Sequence, residues 1–365
     1  MNYYIIAGEA SGDLHGSNLI KELKKLDAEA NFRCWGGDLM KAEGACLVKH
    51  YRELAFMGFT EVLFNLRTIF KNIIFCKKDI LQNIPNVLIL IDYPGFNLRI
   101  AEFAKTIGLK VFYYISPQIW AWKESRIHKI KRVVDKMFVI LPFEKEFYQG
   151  FNYPVDFVGH PLLDAIGDTE NSINKLSVKN EKPIIALLPG SRKQEITKIL
   201  PIMLMMEKHY SNFQFIIAGA PSHNIEFYQP FISNTEVQIV FNQTYQLLKI
   251  AKAALVTSGT ATLETALLGV PEVVCYKGGA ISFGIAKQLI KVKYISLVNL
   301  IMDEEIVKEL IQSDFNEFNL KAELNNLLNH ETRNKILSNY SLLTAKLGGP
   351  GASKKTADLM INYLK

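Results

Sequence analysis

Tyr3-Tyr4-Ile5-Ile6-Ala7 runs straight into Gly8-Glu9-Ala10-Ser11-Gly12-Asp13, after which a helical stretch continues to Leu26. An apolar run of that length is a strand rather than a helix. The small residues behind it make a tight turn, and the pattern is the opening of a βαβ unit. It returns at Pro183–Leu188, followed by the turn Pro189-Gly190-Ser191-Arg192 and a helix predicted from Gln194 to Tyr210. Around these two anchors, Val87–Ile91, Lys110–Ile115, Met137–Leu141 and Pro154–Val158 read as strands of a first half. Phe213–Ala218, Ala254–Thr257 and Glu272–Tyr276 read as strands of a second. Helices are expected over Leu247–Ala253 and Leu263–Leu268, the latter stopped by Gly269 and Pro271. Periodicity lapses between Gly167 and Lys182, where polar residues dominate. The expected fold is α/β, with two Rossmann-like doubly wound domains facing a cleft, over residues 1–166 and 183–345. A C-terminal helix over 346–365 is expected to pack on the first domain or on the partner in a homodimer.

A chain of 365 residues and 41.4 kDa suits two domains, and 49% hydrophobic with 21% charged residues is a folded composition. No apolar run reaches the roughly 18–20 residues of a membrane span. The stretch from Tyr3 stops at Glu9 with no basic segment before it, unlike a signal peptide, so the expected location is the cytoplasm. Cys34, Cys46, Cys76 and Cys275 lie far apart and are expected as reduced thiols, with no metal site and no cofactor. Forty-two basic against 36 acidic residues give +6. That excess fits an anionic ligand or an anionic membrane surface and falls short of a nucleic-acid-binding signature.

Ligands of doubly wound sheets bind at the carboxyl ends of strands, where helix N-termini hold anions. Three turns qualify. Gly8–Asp13 lacks the G-x-G-x-x-G fingerprint of dinucleotide binding. Pro189–Glu195 lacks Walker A spacing but puts Arg192, a bidentate cation, where a diphosphate can sit. Ser258-Gly259-Thr260-Ala261-Thr262-Leu263-Glu264 offers hydroxyls, small residues and a carboxylate that can accept ribose hydroxyls or merely complement the helix dipole. Asp92, at the tip of Val87–Ile91 and ahead of Tyr93-Pro94-Gly95-Phe96-Asn97, is either a general base or a turn residue bonding its own backbone. His15 and His160 are weaker candidates.

Two stretches combine aromatic residues with cations. From Phe59 to Phe75 the apolar residues Phe59, Val62, Leu63, Leu66, Ile69, Phe70, Ile73 and Ile74 follow helical spacing, with Phe64 and Phe75 off the stripe and Arg67 and Lys71 one turn apart. Trp120-Ala121-Trp122-Lys123 precedes Arg126, Lys129, Lys131, Arg132 and Lys136. Each suits a membrane interface, and each also suits a core helix with a solvated basic face.

The ordered motifs resemble the lipid A disaccharide synthases. They are Gly8–Asp13, Met57-Gly58-Phe59-Thr60-Glu61-Val62-Leu63, Ile91–Asn97, Tyr114-Ile115-Ser116-Pro117-Gln118-Ile119-Trp120-Ala121-Trp122 and Leu141-Pro142-Phe143-Glu144-Lys145. Val158-Gly159-His160-Pro161, Leu188–Arg192, Ser258–Glu264 and Tyr294-Ile295-Ser296-Leu297-Val298-Asn299-Leu300 extend the likeness to about Gln312. The resemblance implies a glycosyltransferase-B fold. It also implies an inverting transfer from UDP-2,3-diacylglucosamine to 2,3-diacylglucosamine 1-phosphate, giving a β-1,6-linked disaccharide and UDP. The enzyme would be peripheral on the cytoplasmic face of the inner membrane.

Carried over position by position, Asp92 matches the base and Arg192 the diphosphate-binding arginine. The nucleotide side would comprise Gly190, Ser191, Arg192, Glu195, Ser258, Gly259, Thr260, Glu264, Tyr276 and Asn299. Ser11, Gly12, Asp13, Asn97, Ser116 and Gln118 would line the cleft. Phe64, Arg67, Phe70, Lys71, Trp120 and Trp122 would face the membrane. Two departures stand out: Gly95 replaces a frequent second acid beside Asp92, and Ala10 a frequent Thr. Another UDP-sugar transferase or a UDP-sugar 2-epimerase on the same fold is the alternative.

Overall fold

In the computed structural model, which describes residues 1–54, 66–169, 176, 181–279 and 292–365, the chain forms two compact units. The first comprises Met1–Gly167 with Leu347–Lys365, and the second Asp168–Lys346. Each is built on one parallel sheet. The first sheet has strands β1 (Asn2–Ala7), β2 (Asn31–Gly36), β3 (Cys46–His50), β4 (Val87–Ile91), β5 (Lys110–Tyr114), β6 (Lys136–Val139) and β7 (Asp156–Phe157). Their spatial order is β3-β2-β1-β4-β5-β6-β7. The second has β8 (Ile184–Leu188), β9 (Gln214–Gly219), β10 (Gln238–Phe241), β11 (Ala251–Thr257), β12 (Glu272–Tyr276) and β13 (Lys308–Ile311), ordered β10-β9-β8-β11-β12-β13.

The inner strands are apolar without alternation because helices cover both faces of a parallel sheet. β4 (Val-Leu-Ile-Leu-Ile) and β8 (Ile-Ile-Ala-Leu-Leu) are buried at every residue. Both sheets wind outward, return to the middle and wind the other way. That places one topological switch between β1 and β4, where Ala7 is registered on Ile91, and another between β8 and β11, where Leu188 is registered on Val256. The turns singled out by their composition leave the carboxyl ends of these four strands.

Four strands went unread in the sequence: β2, β3, β10 and β13. Residues such as Arg33, Lys49 and Gln238 interrupt their apolar character, and three of them are edge strands that need bury only part of their surface. One boundary is corrected. The helix expected over Leu247–Ala253 spans Thr244–Ile250, and Ala251 already begins β11. The alanines there favour a helix intrinsically, but pairing with β8 and β12 on both sides overrides the preference. The helix expected from Gln194 to Tyr210 ends at Leu204 and continues as a 3₁₀ turn, Glu207–His209.

The last segment rejoins the first unit. Helix Ala352–Leu364 packs on helix Ala10–Leu26. Asp164 accepts the backbone N–H groups of Gly351 (2.5 Å) and Ser353 (2.8 Å), capping the incoming helix from outside it. Tyr363 donates its hydroxyl to Asp156 at 3.0 Å.

Candidate active site

Asp92 follows β4 at the first switch point, with φ +44°, and Tyr93 follows with φ +48°. Two consecutive non-glycine residues in the left-handed region are costly, and the surroundings hold them there. Tyr113 donates its hydroxyl to the Asp92 carbonyl at 2.5 Å, and Asn97 donates its side-chain amide to the same carbonyl at 2.7 Å. The turn also explains Gly8. A Cβ at that position would lie 2.4 Å from the Tyr93 ring, so only glycine lets Tyr93 fold over the neighbouring turn. The Asp92 side chain is half-buried. Burial and then the charge of Glu9 push its carboxyl up to about 7, against the Tyr93 N–H that it accepts. Glu9 was not picked out in the sequence, because its approach to Asp92 arises only when β1 and β4 pair. At Gly95 an added Cβ would meet nothing within 4 Å, so a second acid there would be sterically acceptable.

The other expected cleft residues of the first unit divide. Ser11 and Gln118 are exposed. Gly12 is buried, its Cβ position 3.0 Å from that of Ala7. The Asp13 carboxylate is buried and accepts the backbone N–H groups of Gly37 (2.7 Å), Leu39 (3.1 Å) and Met40 (3.1 Å). It anchors the loop after β2. Asn97 is also fully buried, and its amide is spent on the carbonyls of Asp92 and Ile91. Ser116 is buried in a hydroxyl pair with Tyr148 at 2.7 Å. Beside it Glu144, pushed up to about 7 by burial, accepts from the N–H groups of Ile140 and Leu141 and from Trp120. His15 and His160 are buried, and burial pulls them down to about 4 and about 3, neutral at physiological pH.

At the second switch point, Gly190 has φ +107°, and a Cβ there would stand 2.9 Å from Glu195 Oε2. Ser191 is exposed. Arg192 caps helix Lys193–Leu204, and its guanidinium meets Glu195 Oε1 at 3.0 Å from the first turn. A cation at the positive end of a helix is favourable only with anions beside it, and Glu195 supplies one. On the neighbouring turn Ser258 donates its hydroxyl to the Ile295 carbonyl at 2.8 Å, while Gly259 and Thr260 are exposed at the start of helix Thr260–Leu267. Glu264 is half-buried and hydrogen-bonded to Tyr245; burial raises its carboxyl above the ordinary range. Tyr245 enters from the segment after β10 and carried no signal in the sequence. The Tyr276 hydroxyl lies against Gly278, whose Cβ position is 3.0 Å away. Asn299 lies in helix Leu297–Met302. It is fully buried, donates to the Val307 carbonyl (2.8 Å) and Glu309 (2.9 Å), and accepts from the N–H groups of Ile306 and Val307. Glu309 also accepts from the N–H groups of Ile295 and Ser296, so the pair shapes the loop that Ser258 touches.

Of the residues expected at a membrane, Phe64 lies outside the described residues. Arg67 and Lys71 are exposed on helix Leu66–Asn83, beside Phe70, Ile74, Phe75 and Leu81, each at least 47% exposed. Phe70 and Ile74, both on the apolar stripe of the sequence, are thus exposed, at 55% and 67%. Trp120 is half-buried against Phe143, and Trp122 is 48% exposed with Arg126 stacked 4.8 Å over its ring. No helix among the described residues is long and apolar enough to cross a membrane.

With this geometry in place, comparison with known proteins is decisive. The family described as lipid-A-disaccharide synthetase matches residues 3–361, through both units. This chain belongs to that family. A lipid-A-disaccharide synthase of Syntrophus aciditrophicus is 40% identical over 99% of this chain and 97% of its own length. One from Geobacter metallireducens is 38% identical over 99% and 96%. Among solved structures, a UDP-GlcNAc 2-epimerase of Neisseria meningitidis bound to UDP-GlcNAc superposes with a TM-score of 0.69 at 14% identity, over 99% of this chain and 100% of that one. The glycotransferase of kitacinnamycin gives 0.68 at 12%, over 100% and 99%. These likenesses identify the glycosyltransferase-B fold for this lipid-A-disaccharide synthase family member. The synthase relatives, at 38–40% identity, weigh against the epimerase alternative.

Proposed function

We propose that this protein is an inverting glycosyltransferase of lipid A synthesis. It joins UDP-2,3-diacylglucosamine to 2,3-diacylglucosamine 1-phosphate, forming the β-1,6-linked disaccharide and releasing UDP. The family match through residues 3–361 carries this reading. Asp92 is the general base: it takes the proton of the acceptor's 6-hydroxyl as that oxygen attacks the donor's anomeric carbon. A carboxyl raised to about 7 suits the task, because near neutral pH a large share of it is ionised and it is basic enough to accept a proton. The bond from the anomeric carbon to the UDP oxygen breaks as the new glycosidic bond forms. Arg192 and the amides that open helices Lys193–Leu204 and Thr260–Leu267 stabilise the charge gathering on the diphosphate. Glu264, oriented by Tyr245, is placed to accept ribose hydroxyls.

The test is UDP release by Asp92→Asn with both monosaccharide lipids. Turnover should fall at least about 10²-fold with UDP affinity retained. Near-normal turnover would remove Asp92 from the role, and no disaccharide from the wild type would sink the whole reading.

The same reading makes the protein peripheral on the cytoplasmic face of the inner membrane, since both substrates carry acyl chains. The exposed Phe70, Ile74 and Phe75 beside Arg67 and Lys71 support it. Lys71→Glu with Arg67→Glu should weaken binding to anionic vesicles at low salt; unchanged binding would contradict this placement.

A further inference from the structure

Beside the Asp92 turn, two guanidinium groups stand without the carboxylates that their neighbours have. On helix Pro94–Thr106, Glu102 pairs with Lys129 (2.9 Å) and Arg132 (3.1 Å), and Lys105 pairs with Asp135 (2.7 Å). These ion pairs tie that helix to helix Ile127–Val133 and to the start of β6. At the end of the same two elements nearer Asp92, the pairing stops. Arg99 donates to the Gly95 carbonyl at 3.2 Å, and Arg126 lies 4.8 Å over the Trp122 ring. Among the described residues neither makes an ion pair.

Arg126 is half-buried. Burial, and after it the nearby charge of Arg99, make its positive form harder to keep, opposed by Tyr113. Tyr113 is the residue whose hydroxyl bonds the Asp92 carbonyl. A contiguous path therefore runs from Asp92 through Tyr113 to Arg126, with Arg99 alongside. Two like charges close together, Arg126 half-buried over an indole and Arg99 exposed beside it, are an arrangement that a dianion relieves. The planar fork of a guanidinium matches phosphate oxygens two at a time.

We propose that Arg99 and Arg126 form the binding site for a sugar-phosphate monoester, the 1-phosphate of the acceptor. This rests on the function proposed above: with the acceptor's 6-hydroxyl at Asp92, the 1-phosphate lies just across the ring oxygen on the same sugar, within reach of the neighbouring guanidinium groups. The pair then selects a phosphorylated acceptor over its dephosphorylated counterpart and holds the ring with its 6-hydroxyl toward the base.

The experiment compares the full-length wild type with Arg126→Ala, Arg126→Lys and Arg99→Ala. It reads KM for 2,3-diacylglucosamine 1-phosphate against KM for 2,3-diacylglucosamine, with donor KM alongside. The preference for the phosphorylated acceptor should collapse by at least about tenfold in Arg126→Ala, and less in Arg126→Lys, which keeps the charge but loses the fork. Calorimetric binding of glucosamine 1-phosphate against glucosamine reads the same site without turnover, and melting curves report folding. An unchanged preference in folded variants overturns the proposal. So does a preference that survives while binding to anionic vesicles is lost, since the pair would then hold a lipid headgroup. Wild-type protein that binds glucosamine 1-phosphate through Arg126 yet releases no UDP supports the phosphate site while overturning the reaction.

Discussion

At Asp92 an unfavourable backbone angle coincides with a carboxylate that water reaches only in part. Glu9 adds a second negative charge from the turn after β1, and the two effects together raise the Asp92 carboxyl to about 7. A base must be deprotonated to act, so the turnover proposed for this site should rise with pH through that value. Removing the Glu9 charge lowers the Asp92 pKa and should move the acid limb of kcat/KM to lower pH in Glu9→Gln; an unmoved limb would show that Glu9 does not set it. Stability has the opposite dependence. A carboxyl raised in the folded state contributes fully below its unfolded pKa and loses that contribution as pH rises through about 7. Asp92→Asn, which also tolerates the left-handed region better, should therefore melt above the wild type at pH 8, with the gap closing toward pH 4. Equal melting at both pH values would mean that the carboxylate carries no such cost.

The turns that follow β1, β4, β8 and β11 are strand-to-helix connections at the two switch points, and each depends on a local device. Gly190 is the clearest case, since its φ of +107° strains any other residue and a Cβ there would push the Glu195 carboxylate, 2.9 Å away, out of its place. Gly190→Ala should cost about 1–3 kcal/mol in stability. It should also weaken UDP binding more than an exposed substitution elsewhere on helix Lys193–Leu204, by disturbing the Arg192–Glu195 pair. Titration of UDP into the variant checks this, and unchanged affinity would separate the turn from the nucleotide. At this scale the sequence was informative where a short apolar strand met small or polar residues, as at Ile91-Asp92 and Leu188–Arg192. It was silent on Glu9 and Tyr245, whose partners lie on other elements. It did not reveal that Asp13 and Asn299 satisfy buried backbone groups, because a polar residue in a conspicuous motif looks the same whether it meets a ligand or a buried backbone.

The first unit is completed from the far end of the chain. Segment Leu347–Lys365 buries Ala352, Ala357, Met360 and Ile361, donates two hydrogen bonds from its N–H groups to Asp164, and reaches Asp156 through Tyr363. Truncation after Lys346 should lower the melting temperature of the first unit by about 10 °C or more and leave the second unit's transition in place. Calorimetry of the truncated protein would resolve the two. A single unshifted transition would show that the last helix contributes little.

Taken alone, the order of residues determined the class of fold and the family. Runs such as Val87–Ile91 and Ile184–Leu188 are strand-length and apolar throughout, which only a covered parallel sheet accommodates, and the motifs follow one another in the family's order. Tertiary structure decided which polar residues remain available for chemistry. Strand pairing sets Glu9 beside Asp92, burial commits Asp13 and Asn299 to the backbone, and ion pairing leaves Arg99 and Arg126 without carboxylates among the described residues. The reason is physical. Apolar periodicity is a local property of the chain, whereas hydration, charge and hydrogen-bond satisfaction depend on neighbours that only folding brings together.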